Sequence, residues 1–258
     1  MLRVITCNLN GIRSAARKGF FRWMRAQAPD VVCLQETKAH EHQLPAEALE
    51  LHEFPHTAFA DADRKGYSGV AVLSKRSVVR VSTGIGDPDS DREGRFVRMD
   101  LEGGIGVCSL YVPSGTMGPA RQAVKERFLD LFIGLMVRMR HEGTPLIVCG
   151  DYNIAHRDID VFSPRSCSRT TGFLPQERAW FDDLVDRVGW IDAFRVVNAA
   201  PKQFTWWSGW KGAWENNLGW RIDYQMITPQ LAPHVRAASI YRTERFSDHA
   251  PVTIDYDI

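Results

Sequence analysis

Short apolar runs rich in β-branched residues recur along the whole chain, at residues 3–7, 31–35, 70–74, 78–82, 96–101, 107–112, 146–149, 204–207, 222–227 and 252–256. Runs this short, bounded by Gly, Pro, Asp or Ser, predict strands. Between them the period changes to that of a helix. Phe20, Phe21, Met24 and Ala28 form one stripe, and Val124, Phe128, Leu131, Leu135 and Met139 form a second that stops at Gly143 and Pro145. A third begins with Pro175 at a first helical position, carries Trp180, Phe181, Leu184 and Val188, and ends at Gly189. Strands outnumber helices and some are hairpin neighbours, so the pattern predicts an α/β fold with two packed sheets and helices outside. No linker or low-complexity stretch divides the chain, and residues 1–258 are read as one catalytic domain.

Composition narrows the classes. The chain has 258 residues, 44% hydrophobic and 24% charged, with 32 Lys and Arg against 31 Asp and Glu. That excludes a disordered tail and a protein that coats nucleic acid by bulk charge, and any phosphate affinity must come from local patches. Cys7, Cys33, Cys108, Cys149 and Cys167 are scattered without a CxxC pair, which fits buried thiols in a reducing compartment better than a zinc site. No run approaches the roughly 18 apolar residues of a membrane span, and the expectation is a cytoplasmic, monomeric protein with no membrane partner.

Polar residues gather at the strand ends. Asn8 follows one run, Glu36 another, and Asp151 and Asn153 a third; Asp223 lies within a run and Asp248-His249 just precedes the last. Taken singly, Asn8 or Asp151 is equally an ordinary cap or turn residue. A carboxylate inside a strand is harder to place, because burying it unpaired is costly. Together these residues suit a hard cation: Mg²⁺ takes oxygen ligands, one or two of them carboxylates, and leaves positions for a phosphate. Glu36 and Asp248 supply that role without the thiol or imidazole cluster that zinc prefers. His249, oriented by Asp223, is then a donor to a phosphoryl oxygen, Asp151 polarises a water, and Asn153 holds that water or a developing oxyanion. The class of chemistry is metal-assisted phosphodiester hydrolysis.

Eight segments in order, among them Cys7-Asn8-Leu9-Asn10-Gly11, Leu34-Gln35-Glu36-Thr37, Gly66-Tyr67-Ser68-Gly69, Leu110-Tyr111-Val112-Pro113, Gly150-Asp151-Tyr152-Asn153, Gly172-Phe173-Leu174-Pro175-Gln176, Gly219-Trp220-Arg221-Ile222-Asp223 and Ser247-Asp248-His249, resemble the exonuclease III family of apurinic/apyrimidinic (AP) endonucleases. The resemblance implies a four-layer αββα sandwich of two mixed sheets flanked by helices. It implies Mg²⁺-dependent cleavage of duplex DNA 5′ to an abasic site to leave a 3′-hydroxyl, with Mn²⁺ able to substitute, and trimming of blocked 3′ ends with some 3′→5′ exonuclease activity. By the same likeness Glu36 and Asp248 hold metal with Asn8, Asn10, Asp151 and Asn153 close by, and Tyr111 meets the scissile phosphate. Asn10 stands where some members have Asp, Ser114 and Met117 where some have Asn and Arg, and residues 163–171 lack the Asn and Lys common there.

Five of the eight tryptophans fall between Trp206 and Trp220. Trp207 reads as core; Trp210 and Trp214, in a loop with Lys211, read as rings free to stack on sugars or bases. The resemblance makes Trp206, Trp220 and Ile222, with Gly172, the walls of a small apolar pocket for an extruded abasic sugar. Arg13, Lys18, Lys38, Lys65, Arg121 and Lys125 are candidate phosphate contacts, and Tyr67 a candidate minor-groove contact. Two other readings stand beside this one: a phosphodiesterase of the wider superfamily acting on inositol phosphates, sphingomyelin or unspecific DNA, and a catalytically silent DNA-binding protein.

Overall fold

Alternation of side chains along β1 (Leu2–Asn8) and β2 (Val31–Gln35) fixes what each face of the first sheet covers. Val4, Val31 and Cys33 point one way and Ile5, Cys7, Val32 and Leu34 the other, and all are buried. Such strands are covered on both faces. The computed structural model describes residues 1–44 and 53–258. Its remaining strands are β3 (His56–Ala60), β4 (Val70–Ser74), β5 (Val78–Thr83), β6 (Phe96–Leu101), β7 (Ile105–Tyr111), β8 (Leu146–Asp151), β9 (Ile191–Asp192), β10 (Trp206–Trp207), β11 (Gly219–Trp220), β12 (Asp223–Ile227), β13 (Val235–Ile240) and β14 (Val252–Tyr256).

Two six-stranded sheets result, ordered β13-β14-β1-β2-β4-β3 and β5-β6-β7-β8-β12-β9, with β10 and β11 as a separate ribbon. Both are mixed: β1 runs parallel to β2 and β7 to β8, and the other pairings are antiparallel. Val4, Cys33 and Val72 of one sheet and Val107, Ile147 and Cys149 of the other share one core cluster between the sheets. Outside the first sheet, the helix Ile12–Arg17 packs through Ile12 and Ala15 and the helix Phe20–Ala26 through Phe20, Phe21 and Met24. Outside the second, the helix Pro119–His141 packs Phe128, Phe132 and Met136 against Cys108, Val148 and Met226. The four-layer αββα expectation holds. Among the described residues no helix is long and apolar enough to cross a membrane.

Five elements differ from the sequence reading. Strands β3 and β13 did not stand out, because each is an edge strand of partly exposed positions rather than an apolar run. On the long helix, Val124 and Leu131 are exposed and the buried stripe is Phe128, Leu129, Phe132, Met136 and Met139. The strand read from residue 204 begins at Trp206 and the one read from residue 222 begins at Asp223, since Thr205 turns its hydroxyl to the backbone N–H groups of Ile222 and Asp223.

Polar ties cross the sandwich where the site forms. Gln35 donates to the Ser109 hydroxyl (2.8 Å), which donates to the Leu34 carbonyl (2.9 Å). These buried groups are paired, as the low dielectric demands, and hold the carboxyl ends of β2 and β7 side by side.

Candidate active site

Register places the acids. Asp151 ends β8, with Tyr111 of β7 beside it on one flank and Asp223 of β12 opposite it on the other. Asn8 ends β1 and Glu36 follows β2, so one group of oxygens comes from each sheet. Asn8 joins them: its Nδ2 donates to Glu36 Oε1 (2.8 Å) and to Asp151 Oδ2 (2.9 Å). Asn10 donates to Asp248 Oδ1 (3.0 Å), and Trp206 Nε1 to Asp248 Oδ2 (3.2 Å). The Glu36, Asp151 and His249 ligand atoms all lie within 4.8 Å of one another.

Three of these residues hold a left-handed backbone that non-glycine residues seldom adopt: Asn10 at φ 45°, Glu36 at φ 49° and Asn153 at φ 51°. Each lies just past a strand end, where the turn lifts its side chain from the sheet into the site. Such conformations cost on the order of 1–3 kcal/mol apiece and persist where the surroundings dictate them.

His249 Nδ1 meets Asp223 Oδ2 at 2.9 Å, and Nε2 lies 3.8 Å from Asp151 Oδ2. Burial favours the neutral ring, but the Asp223 and Asp151 charges and the Asp223 hydrogen bond outweigh it and raise His249 to about 10. Burial also pushes Asp151 up, to about 7, against the opposing pull of the His249 charge. Asp248 goes the other way: burial would raise it, yet the His249 charge and the hydrogen bonds from Asn10 and Trp206 hold it below the usual carboxylate range. Asp151 is therefore poised near neutrality, where a carboxylate exchanges protons most usefully. Asn153 donates its backbone N–H to Asp151 Oδ1 (2.8 Å) and its side-chain amide to the Val112 carbonyl (2.9 Å) and to Asp151 Oδ2 (3.2 Å), leaving its amide oxygen as the acceptor. Burial first, then the nearby Glu36 and Asp151 charges, keep the Tyr111 phenol protonated.

The donor set suits a hard divalent cation. An imidazolium cannot ligate, so His249 drops out of the cluster and oxygens remain. Lys38 already bridges two of them, 2.7 Å from Glu36 Oε2 and 2.5 Å from Asn10 Oδ1, which shows both oxygens facing one positive charge.

A cavity of about 360 Å³ joins these acids to an apolar wall of Trp206, Trp220 and Ile222, with Thr171 and Gly172 at its edge. Trp206 and Trp220 meet edge to face, centroids 6.2 Å apart, and Phe173 backs Trp220. Gly172 has φ 91°, and a Cβ there would sit 3.1 Å from both the Asn153 carbonyl oxygen and the Trp220 ring. A side chain there would be strained by the positive φ and would have to push its neighbours back by a few tenths of an ångström.

The basic candidates separate. Arg13, Lys18 and Lys65 are exposed, so all three stay available to a partner. Tyr67 is half-buried and its hydroxyl accepts from Arg95 and Arg121, both at 2.9 Å. Arg95 was not singled out from sequence; it is buried and lies over the Tyr111 ring at 4.8 Å. Lys125 is a correction. It is not at the surface but fully buried, paired with Glu177, and it donates to the Asn153 carbonyl (2.7 Å). Trp214 is a second correction: it is half-buried against Trp207 (4.3 Å) and the Arg242 and Arg245 guanidiniums, while Trp210 is exposed as expected. All five cysteines are buried and free.

Residues 5–249 match the endonuclease/exonuclease/phosphatase family model. The chain is 35% identical to the zebrafish protein named DNA repair nuclease APEX1, across 98% of this chain and 81% of that one. It is 33% identical to an exodeoxyribonuclease of Bacillus subtilis, with both chains covered in full. Among solved structures, an AP endonuclease from Archaeoglobus fulgidus superposes with a TM-score of 0.89 at 29% identity, and a 3′-5′ exonuclease from Neisseria meningitidis with 0.88 at 26%; each covers 100% of both chains.

Proposed function

This chain belongs to the endonuclease/exonuclease/phosphatase family, among its AP endonucleases and exodeoxyribonucleases, and from that premise we propose that it cleaves the DNA phosphodiester 5′ to an abasic site in a duplex and leaves a 3′-hydroxyl. The same centre trims blocked 3′ ends and removes nucleotides 3′→5′. The observation that carries the reading is one cavity in which the Asp151, Asn153 and His249–Asp223 group faces the apolar Trp206, Trp220 and Ile222 wall.

In this reading Asp151 takes one proton of the attacking water while the Asn153 amide oxygen accepts a hydrogen bond from the other and orients it. Imidazolium His249, fixed by Asp223, donates through Nε2 to a non-bridging oxygen of the phosphate, and the Tyr111 hydroxyl donates to the same group. Glu36 and Asp248 would hold Mg²⁺, or Mn²⁺, with Asn8, Asn10 and Asp151 beside them, and the ion supplies Lewis-acid neutralisation of charge on the phosphate. The apolar wall selects by exclusion: a baseless sugar is cheap to extrude and fits, whereas a nucleotide carrying its base clashes. Arg13, Lys18 and Lys65 are the solvent-facing cations for the flanking backbone, and such contacts position the duplex without reading its sequence.

The test is a duplex with one abasic analogue and a labelled strand, incubated with Mg²⁺ and then with EDTA. A single Mg²⁺-dependent cut, whose upstream fragment a polymerase extends, is the expected result. Incision of intact duplex at equal rate, or hydrolysis of inositol phosphates or sphingomyelin in its place, would assign the chain to another activity of the family. Binding without any cut would make it a DNA-binding protein.

A further inference from the structure

The buried ion pair that removed Lys125 from the surface touches both halves of the site. Lys125 comes from the helix Pro119–His141 and Glu177 from the helix Pro175–Asp182, and their side chains are 1% and 0% exposed. Lys125 Nζ lies 2.5 Å from Glu177 Oε1 and donates to the carbonyl of Asn153, the residue whose side chain meets Asp151. Glu177 Oε2 accepts the backbone N–H of Gly172 (2.6 Å) and of Leu174 (3.0 Å), while Oε1 also accepts from Gln122 (3.2 Å). Gly172 in turn gives its carbonyl to the Ala155 N–H (2.7 Å) and packs against Trp220. One pair thus grips the left-handed turn at Asn153 and the loop that edges the apolar wall.

We propose that Lys125 and Glu177 are positioning residues that set the spacing between the Asp151–Asn153 group and the Gly172 edge of the sugar pocket. A buried pair is poor evidence for stability, since apolar residues of like volume often serve as well. Here the pair spends its hydrogen bonds on two main-chain segments that no apolar residue can hold. Misplacing reacting groups by about 1 Å costs on the order of 10²-fold in rate. The proposal rests on the hydrolytic reading of Asp151 and Asn153.

The experiment uses the full chain with Lys125→Met, Glu177→Gln, the double variant Lys125→Met/Glu177→Met, and Asp151→Asn as the reference. Each is measured by thermal melt and by kcat and KM for abasic incision, normalised to folded fraction. Removing one partner strands a buried charge, so the single variants are expected to melt lower; the double variant strands no charge and is expected to melt above them, short of the wild type because the Gly172 and Leu174 N–H groups lose their acceptor. Its kcat should nevertheless stay down by roughly 10-fold to 10²-fold with KM changed less than about threefold. A double variant with wild-type kcat would overturn the positioning role and leave a charge-burial role alone. If the single variants do not fold, the double variant decides. Loss of about 10²-fold or more in Asp151→Asn beside a wild-type double variant rejects this proposal and keeps the hydrolytic reading; wild-type turnover in Asp151→Asn rejects both.

Discussion

The charge on His249 decides which chemistry its ring performs. With its folded-state value raised to about 10, the ring is an imidazolium at neutral pH, and it donates from both nitrogens. His249 is raised above its unfolded value, so the stabilisation from its ion pairs is fully present below about pH 6.5 and is lost as pH climbs toward 10. Asp151 is raised too, to about 7 from the ordinary 3.8, so its ionisation subtracts stability as pH rises across that interval. EDTA-treated protein should therefore lose stability steadily between pH 4 and pH 10 on account of these two groups. Asp223→Asn removes the largest support of the imidazolium; it should bring the His249 titration down toward the neutral range and cut turnover by about 10²-fold or more. Histidine proton shifts followed against pH give the first, steady-state kinetics the second. A wild-type ring titrating near 6.5 would sink the assignment. The identities of Glu36, Asp151, Asn153, Asp223, Asp248 and His249 were legible because polar residues abruptly end or interrupt apolar runs. Their left-handed turns were not, for nothing local marks a glutamate as φ 49°. Nor did anything local tie Lys125 to Glu177, since their contact exists only once two helices are packed.

At the scale of elements, buried strands announce themselves, while of the edges only the valine-rich β5 was read from sequence. Strands β2, β4, β7 and β8 are covered on both faces and read as near-continuous apolar runs, whereas β3 and β13 show mixed positions that sequence alone leaves ambiguous. The long helix misled for a related reason. Its partly exposed Val124 and Leu131 fit a helical period as well as Phe132 and Met136 do, and only packing against the second sheet selects between them. The ribbon of β10 and β11 gives the element-scale prediction. Trp206 contributes the edge-to-face contact with Trp220 and the hydrogen bond to Asp248, so Trp206→Ala should lose about 1–3 kcal/mol of contact with an abasic sugar and admit base-bearing nucleotides better. The ratio of abasic to intact incision, from kcat/KM, should fall about 5-fold to 10²-fold. Phe132→Ala, in the core beneath the second sheet, is the contrast: about 3–5 kcal/mol of stability lost with that ratio unchanged in the folded fraction. A Trp206→Ala protein with a much lower melting temperature and an unchanged ratio would make Trp206 a core residue only.

The whole molecule is two sheets whose carboxyl-end oxygens meet at one place, so that a divalent cation held there would be a structural tie as well as a chemical one. Glu36, Asn8 and Asn10 belong to strands and turns of the first sheet, with Asp248 just ahead of β14; Asp151 and Asn153 belong to the second. Without an ion, the Asn8 amide and the His249–Asp223 pair bond across this junction at the site, and the Glu36 and Asp151 carboxylates still face each other with like charge. A divalent ion held by both sets would join the sheets in the folded chain and would have no such site in the unfolded one. Binding of that kind stabilises by mass action, about 2.7 kcal/mol when the free ion is 100 times its Kd. For a chain of this length 1 kcal/mol moves the melting temperature by roughly 2–4 °C, so saturating Mg²⁺ should raise it by about 5–11 °C over EDTA-treated protein. Glu36→Ala removes one carboxylate from the first sheet, and most of the Mg²⁺-dependent rise should go with it while the EDTA baseline changes little. Incision by the same variant should drop by orders of magnitude at low Mg²⁺ and recover in part as Mg²⁺ is raised, because the ion is weakened rather than abolished. Melts and rates taken across one Mg²⁺ series must then move together. A Glu36→Ala protein that still gains the full rise, or that keeps its activity at sub-millimolar Mg²⁺, would show that the cation sits elsewhere.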